Sequence, residues 1–386
     1  MVVSEGMIKA CAKNITRTCN LSKGDGVVVI GGVHALGLLE EIAISCYKLG
    51  AVPSILITSD NYMKRVFKEI PASTLATVPK QLVGMLKAAD MLITVEELED
   101  PSIAEAFPRA KLRARQQSQL PLQSLLSDPK TGKKWLYAGW PTPEAAKRYG
   151  IGYKQYEEIV IGGMTVSPDY LMKTGMKLEK KLRGATWAHV WDAKGTDFRV
   201  NIEGRLRNVD DGMISQKDYD IGDRGANLPA GELFIAPHET IGEGTIFCPI
   251  TRDRMSDGLV EDVLLEFKDG MLLLDKVTAR KNADALVSSF EECEAVDRTE
   301  HKVVRTRFVC ELGIGFNPRI KKSIGYILTD EKVAGTVHVA FGNNMGFGGT
   351  SQSVMHWDFV TAPGVSMEAE RKNGKIIEIL RKGRFV

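Results

Sequence analysis

The first 150 residues alternate short β-branched runs with amphipathic stretches. Val27 to Ile30 reads as a strand ending in Gly31-Gly32, and Ala35 to Gly50 carries apolar residues at helical spacing up to a stopping glycine. Val52 to Thr58 predicts a second strand, Asn61 to Ile70 and Val78 to Ala89 predict helices, and Met91 to Val95 predicts a third strand. This repeated β-α-β order predicts a parallel sheet covered by helices, with right-handed crossovers. Residues 109–134 read as a solvated helix face or loop. Arg109, Lys111, Arg113 and Arg115 alternate there with apolar residues, and a Gln/Ser/Pro-rich stretch leads to Lys130 and Lys134. A strand resumes around Trp135 to Trp140, and Pro168 to Arg183 predicts a basic helix.

From Ala185 onward the pattern becomes one of short strands separated by turns. Asp197 to Glu203, Leu233 to Ala236, Thr245 to Pro249, Val263 to Phe267 and Met271 to Leu274 are short strand candidates, interrupted by one helix, Asn282 to Glu292. Lys268-Asp269-Gly270 predicts a hairpin turn, because Asp-Gly accepts the positive φ angles required. The change of texture falls near residues 165–190, and 386 residues suffice for two cores. The expected fold class is therefore α/β: a parallel-sheet domain over 1–175, followed by a mixed, β-rich α+β domain over 176–386.

Polar residues break the alternation of the late strands in a regular way. In Val354-Met355-His356-Trp357-Asp358-Phe359-Val360, Met355, Trp357 and Phe359 share one strand face. His356 and Asp358 share the other, about 7 Å apart along the strand, and can converge on one ion. His338 stands between the small residues Thr336 and Ala340, opposite Val337, Val339 and Phe341. Glu311 lies beside Gly313, opposite Phe308, Cys310 and Leu312, and Glu232 lies between Gly231 and Leu233. Each taken alone also reads as a hydrogen-bonded core histidine or an ion-paired glutamate. A carboxylate in an apolar strand is costly unless paired or metal-bound. Together the five form a mixed nitrogen and oxygen donor set without thiolate, suited to Zn²⁺, Mn²⁺, Co²⁺ or Fe²⁺. Three carboxylates among the five can bridge two ions.

Composition narrows the partners. The net charge of +2 comes from balanced acids and bases, which implies no nucleic-acid or membrane partner. No apolar stretch approaches the roughly 18–20 residues that span a bilayer, and the N-terminus has no signal-peptide pattern. The six cysteines lack Cys-x-x-Cys pairs and are expected as free thiols, several of them buried, in a cytoplasmic protein. Gly31-Gly32-Val33-His34 lacks the Lys-Ser/Thr of a phosphate-binding loop and reads as a tight strand–helix turn.

Four segments then carry a family resemblance: Asn-Leu-Pro-Ala-Gly-Glu-Leu-Phe-Ile-Ala-Pro (227–237), Glu-Leu-Gly-Ile-Gly-Phe-Asn-Pro (311–318), Asp-Glu-Lys-Val-Ala-Gly-Thr-Val-His-Val-Ala-Phe-Gly (330–342) and His-Trp-Asp (356–358). In this order they resemble the thermophilic metalloaminopeptidase family, M29. The resemblance implies a pair of divalent ions (Zn, Co or Mn) held by Glu232, Glu311, His338, His356 and Asp358. It also implies a homodimer, and removal of N-terminal residues from small peptides by a metal-activated water. Glu243 and Glu331 are the candidates for a proton-transferring carboxylate outside the ligand set.

The chain departs from that pattern between the histidines. The stretch from His338 to His356 is shorter than in the peptidases and lacks their tyrosine; Asn343, Asn344 and Met345 occupy its place. A similar shortened loop occurs in related iron-dependent dioxygenases that open dihydroxypyridine rings, which leaves a mononuclear Fe(II) dioxygenase acting on a small ring as the alternative. A non-catalytic, metal-stabilised binding protein is the third reading.

Overall fold

β-branched runs supply the centre of the first sheet. In the computed structural model, which describes residues 3–127, 132–256, 258–301 and 303–386, strands are numbered along the chain. Gly26–Gly32 (β1), Val52–Thr58 (β2), Met91–Val95 (β3) and Lys134–Ala138 (β4) run parallel in the order β2-β1-β3-β4. Gly225–Leu228 (β8) closes the sheet, parallel to β4. Val28 and Leu92 pack with Leu86 of helix Lys80–Ala88 and Leu122 of helix Arg109–Ser127. Helix Leu36–Lys48 buries Leu38, Leu39 and Ile42, each contributing about 1.5–3 kcal/mol. The basic segment at 109–127 is thus a helix with one anchored face, while Lys130 lies outside the described residues. Helix Glu5–Thr18, which apolar periodicity did not mark, is capped by the Ser4 side chain and carries Glu5 in its first turn.

The described chain divides into two units of two segments each: Met1–Thr165 with Gly212–Pro229, and Val166–Asp211 with Ala230–Val386. A boundary at 175/176 is a single cut inside helix Pro168–Leu182, and β8 comes from residues later than that cut. Local periodicity marks a strand but not the sheet it joins.

The second unit contains two antiparallel sheets. One has eight strands in the order β12-β11-β10-β6-β5-β16-β17-β18. They are Ala185–Trp191 (β5), Asp197–Asn201 (β6), Gly242–Arg252 (β10), Leu259–Lys268 (β11), Met271–Leu272 (β12), Ser366–Arg371 (β16), Ile376–Arg381 (β17) and Arg384–Phe385 (β18). Asp269 and Gly270, with φ of 50° and 71°, turn β11 into β12 as the sequence predicts.

The other sheet has the order β15-β14-β13-β9-β7, formed by Asn208–Asp210 (β7), Glu232–Ile235 (β9), Val309–Gly315 (β13), Val337–Gly342 (β14) and His356–Val360 (β15). Its apolar face is aromatic. Trp357 and Phe359 stack on Phe290 of helix Ala283–Glu300 at centroid distances of 5.4 and 6.4 Å, and Phe341 meets Phe267 of β11 at 6.0 Å. All six cysteines are buried and free.

Candidate metal centre

Alternation along four neighbouring strands sends Glu232, Glu311, His338, His356 and Asp358 to the sheet face opposite the aromatics. Register brings them side by side, each across from a small residue: Glu232 from Gly315, His338 from Gly313, Glu311 and Asp358 from Ala340, and His356 from Gly342. The small residues are needed. A Cβ at Gly313 would fall inside the imidazole of His338, and one at Gly315 would fall against the carbonyl oxygens of Glu331 and Val333.

Two groups of three donors result, Glu232–Glu311–His338 and Glu311–His356–Asp358, each with its ligand atoms within 4.8 Å of one another. Glu311 belongs to both. His338 Nε2 lies 3.2 Å from Glu311 Oε1 and 3.4 Å from Glu232 Oε2. His356 Nε2 lies 3.4 Å from Glu311 Oε2 and 3.3 Å from Asp358 Oδ1. His356 Nδ1 donates to the Asn343 carbonyl at 2.8 Å, which leaves the Nε2 lone pair free for a cation. One detail differs from strict alternation. A bulge between Val309 and Glu311 turns Cys310 away from the Phe308–Leu312 row, and its sulfur lies 3.6 Å from His356 Nδ1.

The donors fit a divalent metal. Glu232 Oε2 and Asp358 Oδ1 are buried with no hydrogen bond among the described residues, a costly state that a cation relieves. Without metal, protons take the cations' place. Burial opposes charge on His338, but Glu311, Glu232 and Asp358 outweigh it and push its pKa up to about 9. His356 is likewise raised against burial, chiefly by Asp358. Asp358 in turn is held well below the usual carboxylate range, because His356 overrides its desolvation. Burial raises Glu311.

The two proposed proton carriers separate. Glu331 lies at the cluster, its Oε2 3.0 Å from Lys332 Nζ, and burial with the charges of Asp358 and Glu232 pushes it up to about 8 against the pull of Lys332. Glu243 is exposed on β10, paired in register with Arg199 on the eight-stranded sheet; the geometry gives it no place in the ligand cluster.

Three features escaped the sequence reading. Lys332 is fully buried and contacts Glu232 Oε1 at 2.5 Å, so Glu232 is ion-paired through one oxygen. Buried Glu239 accepts hydrogen bonds from Asn344 Nδ2 (3.0 Å), Thr350 N (2.7 Å) and Arg205 (2.6 Å), which pins the loop between β14 and β15. Phe347 of that loop meets Phe234 edge-on at 5.4 Å and His356 at 6.0 Å, forming an apolar wall. Asp-Glu-Lys before a strand was the only sequence signal for Lys332; Glu239 and Phe347 had none.

This fold carries a buried donor set that could hold divalent metal. The chain belongs to the thermophilic metalloprotease (M29) family, whose profile matches residues 7–385. Aminopeptidase T of Thermus aquaticus is 24% identical over 429 residues, covering 99% of each chain. The structure of wild-type AmpT from Thermus thermophilus superposes with a TM-score of 0.78 at 21% identity, covering 98% of both chains. That of 2,5-dihydroxypyridine dioxygenase from Pseudomonas putida KT2440 gives 0.60 at 15% identity, covering 100% of this chain and 98% of the other. These structural likenesses speak to the fold. Among the described residues, no helix is long and apolar enough to cross a membrane.

Proposed function

We propose that this chain is a metal-dependent aminopeptidase that releases N-terminal residues from small peptides, using two divalent ions held by Glu232, Glu311, His338, His356 and Asp358. The observation that carries this reading is Glu311, common to both three-donor groups and so placed to bridge two ions. The M29 family and the Aminopeptidase T relative support it. The donor set suits Zn²⁺, Co²⁺ or Mn²⁺. Two such ions supply Lewis acidity to a carbonyl and make a coordinated water acidic near neutral pH.

The chain's own residues do the rest. His356 has a 31% exposed side chain, whereas His338 is fully buried, so substrate approaches from the His356 side. Phe347 and Phe234 present an apolar surface there for a substrate side chain. Glu331, outside both donor groups and with its pKa raised by burial, is the carboxylate that would carry a proton to the leaving amine. A homodimer and a cytoplasmic location complete the reading.

The test is reconstitution of metal-free protein with Zn²⁺, Co²⁺, Mn²⁺ or Fe²⁺, followed by leucine release from leucyl peptides with N-acetylated controls. Metal-dependent release from free-amine peptides alone, lost in Glu311→Gln, is expected. No release with any metal, together with Fe²⁺-dependent oxygen uptake on hydroxylated pyridines, would replace the peptidase by a dioxygenase. Metal binding with neither activity would leave the non-catalytic reading.

A further inference from the structure

The two ion positions have unlike neighbours. Lys332 has no exposed surface, and its Nζ lies 2.5 Å from Glu232 Oε1, 3.0 Å from Glu331 Oε2 and 3.6 Å from Asp210 Oδ2. It is held there by backbone. Its carbonyl accepts from Asn317 N at 3.0 Å, its own N–H donates to Thr329 O at 3.1 Å, and Gly315 leaves room for the segment above it. One oxygen of Glu232 is therefore committed to an ammonium ion before any metal arrives, and only Oε2 faces His338 and Glu311. Across the cluster, Asp358 faces only His356 at ion-pair distance among the described residues; Arg254 acts on it electrostatically but is exposed and therefore screened.

We propose that Lys332 is a positioning residue that makes the two ion positions unequal: Glu311–His356–Asp358 fills first and tightly, and Glu232–Glu311–His338 fills second and weakly. This rests on the two-ion reading above. A divalent ion on Glu232 Oε2 shares its carboxylate with a fixed positive charge in a site of low effective dielectric, where like charges repel strongly. The same ammonium keeps Glu232 a one-oxygen ligand. Among the described residues, no comparable buried cation stands beside the first position, and its imidazole borders the more exposed side. The protein would thus carry one resident ion and one exchangeable ion.

Metal-stripped full-length protein titrated with Co²⁺ tests this, read by visible absorption and calorimetry rather than by turnover. Wild-type protein should bind in two steps whose dissociation constants differ by roughly tenfold or more. His356→Ala should abolish the tight step and His338→Ala the weak one. Lys332→Gln should bring the steps within about threefold by tightening the second. Asp210→Asn, which removes a counter-charge while keeping the ammonium, should widen the gap, and it decides the matter if Lys332→Gln does not fold. Two steps of equal affinity, loss of the weak step in His356→Ala, or a gap unmoved by Asp210→Asn or by folded Lys332→Gln would overturn the inference while leaving the two-ion reading intact. Binding of a single ion by wild-type protein would overturn both.

Discussion

The two faces of the five-stranded sheet are made by the same strands and serve opposite ends. On one face Phe341, Trp357 and Phe359 are almost wholly buried and pack on Phe290. On the other, Glu232, Glu311, His338, His356 and Asp358 crowd together, with one buried oxygen each of Glu232 and Asp358 left without a hydrogen bond among the described residues. The first face stabilises the fold; the second, in the absence of metal, opposes it. Adjacent residues of β15 belong to different faces, so each donor side chain is held by the packing of its sequence neighbours. That is how a strand fixes donors with little freedom to relax.

Substitutions on the two faces should therefore separate. Glu311→Gln removes the donor common to both groups and should lower metal affinity and leucyl-peptide hydrolysis by more than about a hundredfold. The thermal stability of the metal-free protein should stay the same or rise, since a buried charge is lost. Elemental analysis and thermal melts check both. Phe359→Ala should do the reverse, costing about 3–5 kcal/mol in denaturant unfolding, with bound metal per folded chain unchanged. Equal effects of the two substitutions on stability would break the contrast.

Subtler changes sharpen it. Gly313→Ala lies between the faces, and its methyl would displace His338. Metal affinity should fall about ten- to a hundredfold with a smaller loss of stability, measured by competition with a chelator. Glu239→Gln loosens the loop whose Asn343 carbonyl orients His356. A loss of about 1–3 kcal/mol is expected, with metal affinity reduced more weakly than in Gly313→Ala. The smallest effect is a rise in melting temperature when metal is added, growing with the logarithm of free ion concentration and absent in Glu311→Gln.

Much of this contrast was legible in the sequence, because period-two alternation reports directly on which face a residue takes. Trp357 between His356 and Asp358, and Gly313 two places after Glu311, announce a core face and a roomy polar one. The limits have physical causes. Alternation is silent where the chain leaves the strand, so Lys332, in the turn before β14, went unmarked although it is buried against Glu232. It also fails at a bulge, which is why Cys310 meets His356 instead of the apolar row. Glu243 looked comparable to Glu331 because both are acids near a motif, and only the long-range register of β10 with β6 separates them. β8 pairs with β4 some ninety residues away along the chain, a partnership no local pattern encodes.

The decisive measurement is anomalous diffraction from crystals of the protein loaded with Zn²⁺ or Co²⁺. Two peaks about 3.5–4 Å apart, on either side of the Glu311 carboxylate, are expected, one near His356 and Asp358 and the other near His338 and Glu232. A single peak at full loading, or metal bound away from Glu311, would contradict the shared-carboxylate centre on which the proposed function depends.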